Sequence, residues 1–153
     1  MNELKKELQV AALENGTVID HIPTKYLFKV VNLLGISKLE NSVTIGNNLP
    51  STKYGKKGII KIADVYFPEE TLNRIALIAP NAIINVIHNF EVVDKHPVTL
   101  PKEIIGIVKC GNPKCITNNE PMKTRFNVID SENIVIKCHY CERVISKDDI
   151  EIK

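Results

Sequence analysis

An α+β fold is predicted, with a βαββαβ domain over residues 1–101 followed by a small all-β domain over residues 102–153. Three observations predict it. Two stretches with apolar residues at helical spacing interrupt a series of β-branched runs. The segment His96-Pro97-Val98-Thr99-Leu100-Pro101 has two prolines and no helical period, and reads as a stiff linker. All four cysteines of the chain, Cys110, Cys115, Cys138 and Cys141, fall beyond it.

The elements follow in order. Residues 8–13 form a short apolar run, a candidate strand, closed by the turn signal Glu14-Asn15-Gly16. Thr17 to Ile22 is a β-branched strand stopped by Pro23. Leu27, Val30, Val31 and Leu34 fall at i, i+3, i+4 and i+7, so one face of a helix is buried, with Gly35 as its C′ residue. Ser42 to Leu49 is a strand, Pro50 to Lys57 a polar loop, and Gly58 to Phe67 the second strand of a hairpin. Pro68-Glu69-Glu70 starts a second helix, with proline in the first turn and acids at the positive end of the dipole. Leu72, Ile75, Ala76 and Ala79 carry its period, and Pro80 ends it. Ala82 to Ile87 and Phe90 to Val93 are strands or one bent strand. From residue 17 to 93 the order is strand, helix, strand, strand, helix, strand, the ferredoxin-like arrangement. Its helices cover one face of an antiparallel sheet and leave the other for a partner or ligand. Beyond the linker, Ile104 to Val108, Arg125 to Ile129 and Asn133 to Lys137 are short β runs threaded between the cysteines.

The cysteines form a C-x4-C pair and a C-x2-C pair with 22 residues between them, long enough to run out and back as strands. Gly111 and Pro113 let the first loop wrap around an ion. Four thiolates make a closed tetrahedral Zn²⁺ site that holds a fold and performs no chemistry. A domain of about fifty residues buries little core, so such a staple is physically reasonable. Two disulfides would require an oxidising compartment. The charged start Met-Asn-Glu-Leu-Lys-Lys-Glu-Leu has no apolar signal region, so a cytoplasmic protein is expected. A redox C-x2-C would not need the second pair.

Composition excludes several classes. Charged residues make up 25% of the chain, and no apolar run approaches the ~20 residues of a membrane span. Residues 1–101 carry 11 Lys+Arg against 10 Asp+Glu, and residues 102–153 carry 9 against 8, so neither part announces a nucleic-acid partner. Four thiolates and one divalent cation bring the formal +2 to zero. No catalytic motif is present: no G-x-S-x-G, Walker loop, G-x-G-x-x-G or H-E-x-x-H. Asp20-His21 reads first as a solvated polar pair, and second as an anion or nucleotide contact with the carboxylate orienting the imidazole. Alternation aims Lys61 away from Ile60 and Ile62, so it reads first as a lysine on the solvated face, and second as a contact on a ligand-binding open face on which Lys95 also converges. Lys53, Lys56 and Lys57 read as solvated loop charges that can also touch phosphates.

Taken together, Gly16-Thr-Val-Ile-Asp-His-Ile-Pro23, Thr44-Ile-Gly46, Asn48-Leu-Pro-Ser51, Ile60-Lys-Ile62, Tyr140 and the cysteine spacing resemble the regulatory chain of aspartate carbamoyltransferase. The resemblance runs over essentially the whole length. It implies a nucleotide-effector domain over 1–101 and a zinc domain over 102–153 that contacts a separate catalytic chain. It implies no catalysis by this chain, competitive binding of CTP and ATP, and control of carbamoyl transfer to aspartate in pyrimidine biosynthesis. It also implies a regulatory homodimer within a dodecamer of six catalytic and six regulatory chains. The nucleotide site it implies comprises Val10, Ala12, Leu13, Val18, Asp20, His21, Lys61, Asn85, Ile87, Phe90, Val92 and Lys95. Lys95 and His21 suit the triphosphate, Lys61 the ribose or phosphates, and Asp20 the ribose hydroxyls. Backbone near Ala12, Leu13 and Ile87 reads the base edge, and Val18 and Val92 form apolar walls. Phe90 stands where the family often has tyrosine. The rivals are a zinc-ribbon nucleic-acid-binding protein, which near-neutral charge and few aromatics disfavour, and an enzyme acting through Asp20 and His21.

Overall fold

The computed structural model describes residues 13–52 and 55–152, and its contacts divide the chain into two units that part between Thr99 and Leu100. The candidate strand at residues 8–13, and with it Val10 and Ala12, lies almost wholly outside the described residues.

The first unit is built on β1 (Gly16–Ile22), whose seven residues are buried except for one. A 3₁₀ turn (Thr24–Tyr26) and α1 (Leu27–Leu33) follow, then the hairpin β2 (Val43–Ser51) and β3 (Gly55–Ala63). Next come α2 (Glu69–Asn73), a 3₁₀ turn (Arg74–Leu77), and the hairpin β4 (Ile83–His88) and β5 (Glu91–Pro97). The strands form one antiparallel sheet in the order β2-β3-β1-β4-β5. Among the described residues the first strand in sequence is therefore central, flanked by β3, which comes after α1, and by β4, which comes after α2. Ile19, Ile60, Ile62 and Ile84 on the sheet, Leu27 and Val30 on α1, and Ile75 after α2 are fully buried. These are the apolar positions of both periodicities.

Three findings correct the sequence reading. The expected Pro50–Lys57 loop is mostly strand: β2 reaches Ser51 and β3 begins at Gly55, with Leu49 opposite Lys57. His96 and Pro97 belong to β5 and pair with Ile84 and Ile83, so the ladder consumes the start of the expected linker. Phe90 is in a turn and not a strand: Asn89 and Phe90 have φ of 51° and 66°, the left-handed pair that a two-residue hairpin turn demands.

Gly16 opens β1 at φ +143°, and a Cβ there would lie 2.1 Å from the Ile62 carbonyl oxygen. Gly16→Ala is expected to destabilise this unit by about 3 kcal/mol through backbone strain and that clash, as measured by denaturant unfolding.

The second unit holds a four-stranded sheet ordered β10-β9-β8-β6 and a two-stranded one, β11-β7. The strands are β6 (Glu103–Ile105), β7 (Val108–Lys109), β8 (Arg125–Asp130), β9 (Val135–Cys138), β10 (Val144–Ser146) and β11 (Glu151–Ile152). It is not wholly β, since α3 (Ile116–Asn119) follows Cys115. Its core is Ile104, Val108, Phe126, Ile134, Ile136 and Ile145, all nearly or fully buried. Among the described residues no helix is long and apolar enough to cross a membrane.

Candidate functional site

The four cysteines converge. Their sulfurs all lie within 4.8 Å of one another. Cys110 Sγ is 3.5 Å from Cys141 Sγ, and Cys115 Sγ is 3.8 Å from Cys138 Sγ. These separations far exceed the ~2.05 Å of a disulfide. Four sulfurs bonded to one ion at about 2.3 Å in a regular tetrahedron stand about 3.8 Å apart, so the set fits a tetrahedral metal.

The chain shapes both loops for this. Asn118 Nδ2 donates to the carbonyls of Cys110 and Asn112, and Asn119 Nδ2 donates to those of Pro113 and Cys115. Two side chains of α3 thus fix the C-x4-C loop, which explains a helix in a domain expected to be all β. In the second loop Cys138 N donates to the Arg143 carbonyl, and Glu142 takes φ 63° to turn the chain back. Thr117 Oγ1 is 3.2 Å from Cys115 Sγ. Asn118→Ala is expected to weaken metal retention about tenfold, as loss of groups that orient ligands does elsewhere, measured by competition with a chelator.

Without a cation these thiols resist ionising together. Burial pushes Cys110 up to about 12, the surrounding sulfurs adding to it against one Asn112 backbone N–H. Burial likewise raises Cys138, although the Cys141 and Tyr140 backbone N–H groups oppose it. Burial also works against Cys141, but the Arg143 backbone N–H, the Asn112 side chain and neighbouring sulfurs outweigh it and bring Cys141 to about 7. A divalent cation is what lets all four become thiolates, so metal affinity falls as acid returns the protons.

The second constellation is on the sheet of the first unit. Lys61 on β3 pairs in register with Val18 on β1, Val18 with Asn85 on β4, and Asn85 with Lys95 on β5. Residues opposite one another across a ladder share a face. One transverse row therefore carries Lys61, Val18, Asn85 and Lys95, four of the residues named from the sequence. Val18 and Asn85 are buried and Lys95 is exposed. Ile87 joins this face in a cluster with Val18 and Ile59, on which Leu13 and Leu49 pack. The middle of the face expected to be open is thus partly covered by apolar side chains.

Asp20 is at the end of β1, where a bulge between Ile19 and Ile22 leaves His21 at φ 58°. The carboxylate is buried and paired with Lys57 Nζ at 2.8 and 3.0 Å, and it accepts the His21 backbone N–H at 2.7 Å. His21 Nε2 is 3.9 Å from Asp20 Oδ2. Asp20-His21 is therefore no solvated pair. Desolvation lowers the pKa of Lys61, and the charge of Asp20 opposes that shift. Lys57, read as a loop charge, is a buried strand residue with a fixed counter-ion. The signal that finds it is parity: Lys57, Ile59 and Lys61 alternate onto one face. Phe90 and Val92 are 60% and 40% exposed and stand at the rim, with Phe90 N donating to the Glu14 carbonyl.

Comparison with known proteins matches both units. Residues 8–99 match the family described as aspartate carbamoyltransferase regulatory chain, allosteric domain, and residues 102–151 match the metal binding domain of the same chain. A relative from Parabacteroides distasonis named aspartate carbamoyltransferase regulatory chain is 67% identical over 151 residues, covering 99% of this chain and 98% of the relative. One of the same name from Bacteroides fragilis is 59% identical, over 99% of each chain. Another from the archaeon Pyrococcus horikoshii is 49% identical, over 94% and 96%. The chain belongs to the family of aspartate carbamoyltransferase regulatory chains, the non-catalytic subunit that works with a catalytic chain.

Proposed function

We propose that this chain senses CTP and ATP on the sheet of its first unit and, through a zinc-held second unit, adjusts a catalytic chain that makes carbamoyl aspartate for pyrimidine synthesis. The observation that carries the nucleotide reading is the row of Lys61, Val18, Asn85 and Lys95, flanked by Asp20 and His21. It combines cations for phosphates, an amide for hydrogen bonding and an apolar wall for a base or ribose. The strand order also supports the ferredoxin-like reading of this unit, with β5 added at one edge.

In this reading Lys95 and His21 meet the triphosphate and Lys61 the ribose or phosphates. A carboxylate has about four acceptor sites. Among the described residues Lys57 and the His21 backbone N–H take part of that capacity, and a ribose hydroxyl can take more of it. Leu13, Ile87, Phe90 and Val92 frame the base, together with Val10 and Ala12. Zinc is the metal of the second unit because four cysteine sulfurs at tetrahedral separations suit a soft, redox-inert ion and leave no open position. The domain division at residue 101, the regulatory homodimer, the dodecamer of six catalytic and six regulatory chains and a cytoplasmic location belong to the same proposal.

Allosteric control requires that the nucleotide bind two quaternary states unequally, with a coupling of about 1–3 kcal/mol. Calorimetry of the zinc-loaded chain is expected to show competitive CTP and ATP binding. Lys95→Ala or Lys61→Ala should weaken either by about tenfold or more through loss of a charge-assisted contact. A zinc-loaded chain that binds neither nucleotide overturns the proposal.

A further inference from the structure

The four sulfurs of the metal centre are not equivalent. Cys110, Cys115 and Cys138 are 0–1% exposed, whereas Cys141 is partly exposed. Its neighbours in the loop, His139, Tyr140, Glu142 and Arg143, are all exposed. Solvent therefore reaches the cluster through one sulfur. Cys110 Sγ lies 3.5 Å from Cys141 Sγ, while Cys115 and Cys138 form the deeper pair at 3.8 Å. A disulfide between Cys110 and Cys141 needs the sulfurs to close by about 1.5 Å.

We propose that the metal centre is a release site for hydroperoxides, in which Cys141 reacts first and Cys110 resolves it. This rests on the zinc reading given above. In the loaded centre the Cys141 thiolate attacks one oxygen of hydrogen peroxide, the simplest hydroperoxide. An S–O bond forms, the O–O bond breaks, and hydroxide leaves with the electron pair. The sulfur is oxidised by two electrons to sulfenic acid and the peroxide oxygen is reduced. The Cys110 thiolate then attacks the Cys141 sulfur. An S–S bond forms, the S–O bond breaks, and a second hydroxide leaves. Two thiolates and one hydrogen peroxide thus give one disulfide and two hydroxides. The metal keeps only Cys115 and Cys138, half of its donors, and departs. The second unit then loses the ion that holds its loops, and its hold on the catalytic chain with it. A thiol reductant and fresh zinc restore the centre.

The test uses the wild-type, full-length chain loaded with zinc, so that no substitution at a ligand is needed. Metal content is measured before oxidant is added. Hydrogen peroxide is then titrated while zinc release is followed with a chromogenic chelator. Sulfenic acid is trapped with a dimedone reagent, and the trapped residue and the disulfide are located by peptide mass spectrometry. Trapping at Cys141, a Cys110–Cys141 disulfide forming in step with zinc release, and full reversal by reductant and zinc are the expected results. First reaction at Cys115 or Cys138, a Cys138–Cys141 linkage, or retention of zinc after the thiols have oxidised overturns this inference alone. A chain that carries no zinc before oxidant is added overturns the zinc reading as well.

Discussion

Replacing Cys138 with serine is expected to abolish metal binding and unfold the second unit, with loss of assembly onto the catalytic chain. Cys138 is fully buried, on the last residue of β9, and its sulfur faces that of Cys115 at 3.8 Å. A serine oxygen is a hard, weakly acidic donor in place of a soft thiolate, and the centre has no spare ligand. Structural zinc contributes about 10–16 kcal/mol of apparent binding free energy in small domains. The apolar core of the described residues here is only six large side chains besides the cysteines, too few to offset that loss. Metal analysis, amide exchange in residues 102–152 and co-sedimentation with the catalytic chain measure the three consequences. Full metal content in Cys138→Ser would mean that three sulfurs suffice. Full assembly without metal would mean that the ion has no part in holding the partner.

Lys57→Met is expected to cost about 3–5 kcal/mol of stability in the first unit, the usual penalty for stranding one member of a buried ion pair. Both side chains are nearly buried, at 11% and 8% exposure, with Nζ 2.8 Å from a carboxylate oxygen. The methionine keeps the apolar stem but removes the ammonium, which leaves Asp20 with the His21 backbone N–H at 2.7 Å and His21 Nε2 at 3.9 Å among the partners described for it. For a domain of about 100 residues the midpoint of thermal unfolding should fall by about 15 °C or more. Adding Asp20→Asn to Lys57→Met removes the stranded charge and should recover most of the loss. A single variant within about 1 kcal/mol of wild type, or a double variant no better than the single, would show that the pair is not an energetic clamp. Nucleotide affinity should fall in the single variant as well, because Lys57 fixes the carboxylate beside His21 and Lys61.

The cysteine centre was legible because its count closes: four ligands of one type in two short loops allow few arrangements. The two helical stretches were legible from their period, although α2 gives way to a 3₁₀ turn at Arg74, which side-chain spacing over so few residues does not distinguish. Lys57 was hidden by its neighbours, since Gly55-Lys56-Lys57 has the composition of a solvated loop while its parity is that of a strand. Phe90 was misread because a bulky aromatic rarely accepts positive φ, and only Asn89 beside it signals a turn. The strands β10 and β11 escaped because three and two residues are too short to show alternation. The asparagine clamps of α3 carry no sequence signal beyond two adjacent amides, and their role exists only once the loop has closed around them. The alternation of Lys61 and the strand-end position of Asp20 and His21 did point to one face. The register that aligns Lys61 with Asn85 and Lys95 depends on pairings across distant parts of the chain.

The central place of β1 has a consequence during synthesis. It leaves the ribosome before both strands that flank it, and β4 is completed only at His88. Until β3 is complete at Ala63 a segment with Val18, Ile19 and Ile22 has neither flanking strand to pair with, and until His88 it has only one, so those side chains are available to any apolar surface nearby. Sheet closure waits on distant pairings, so maturation of the nascent chain should be slow compared with a helical protein of this length. Chaperones that hold emerging apolar strands would find their natural target in residues 16–22.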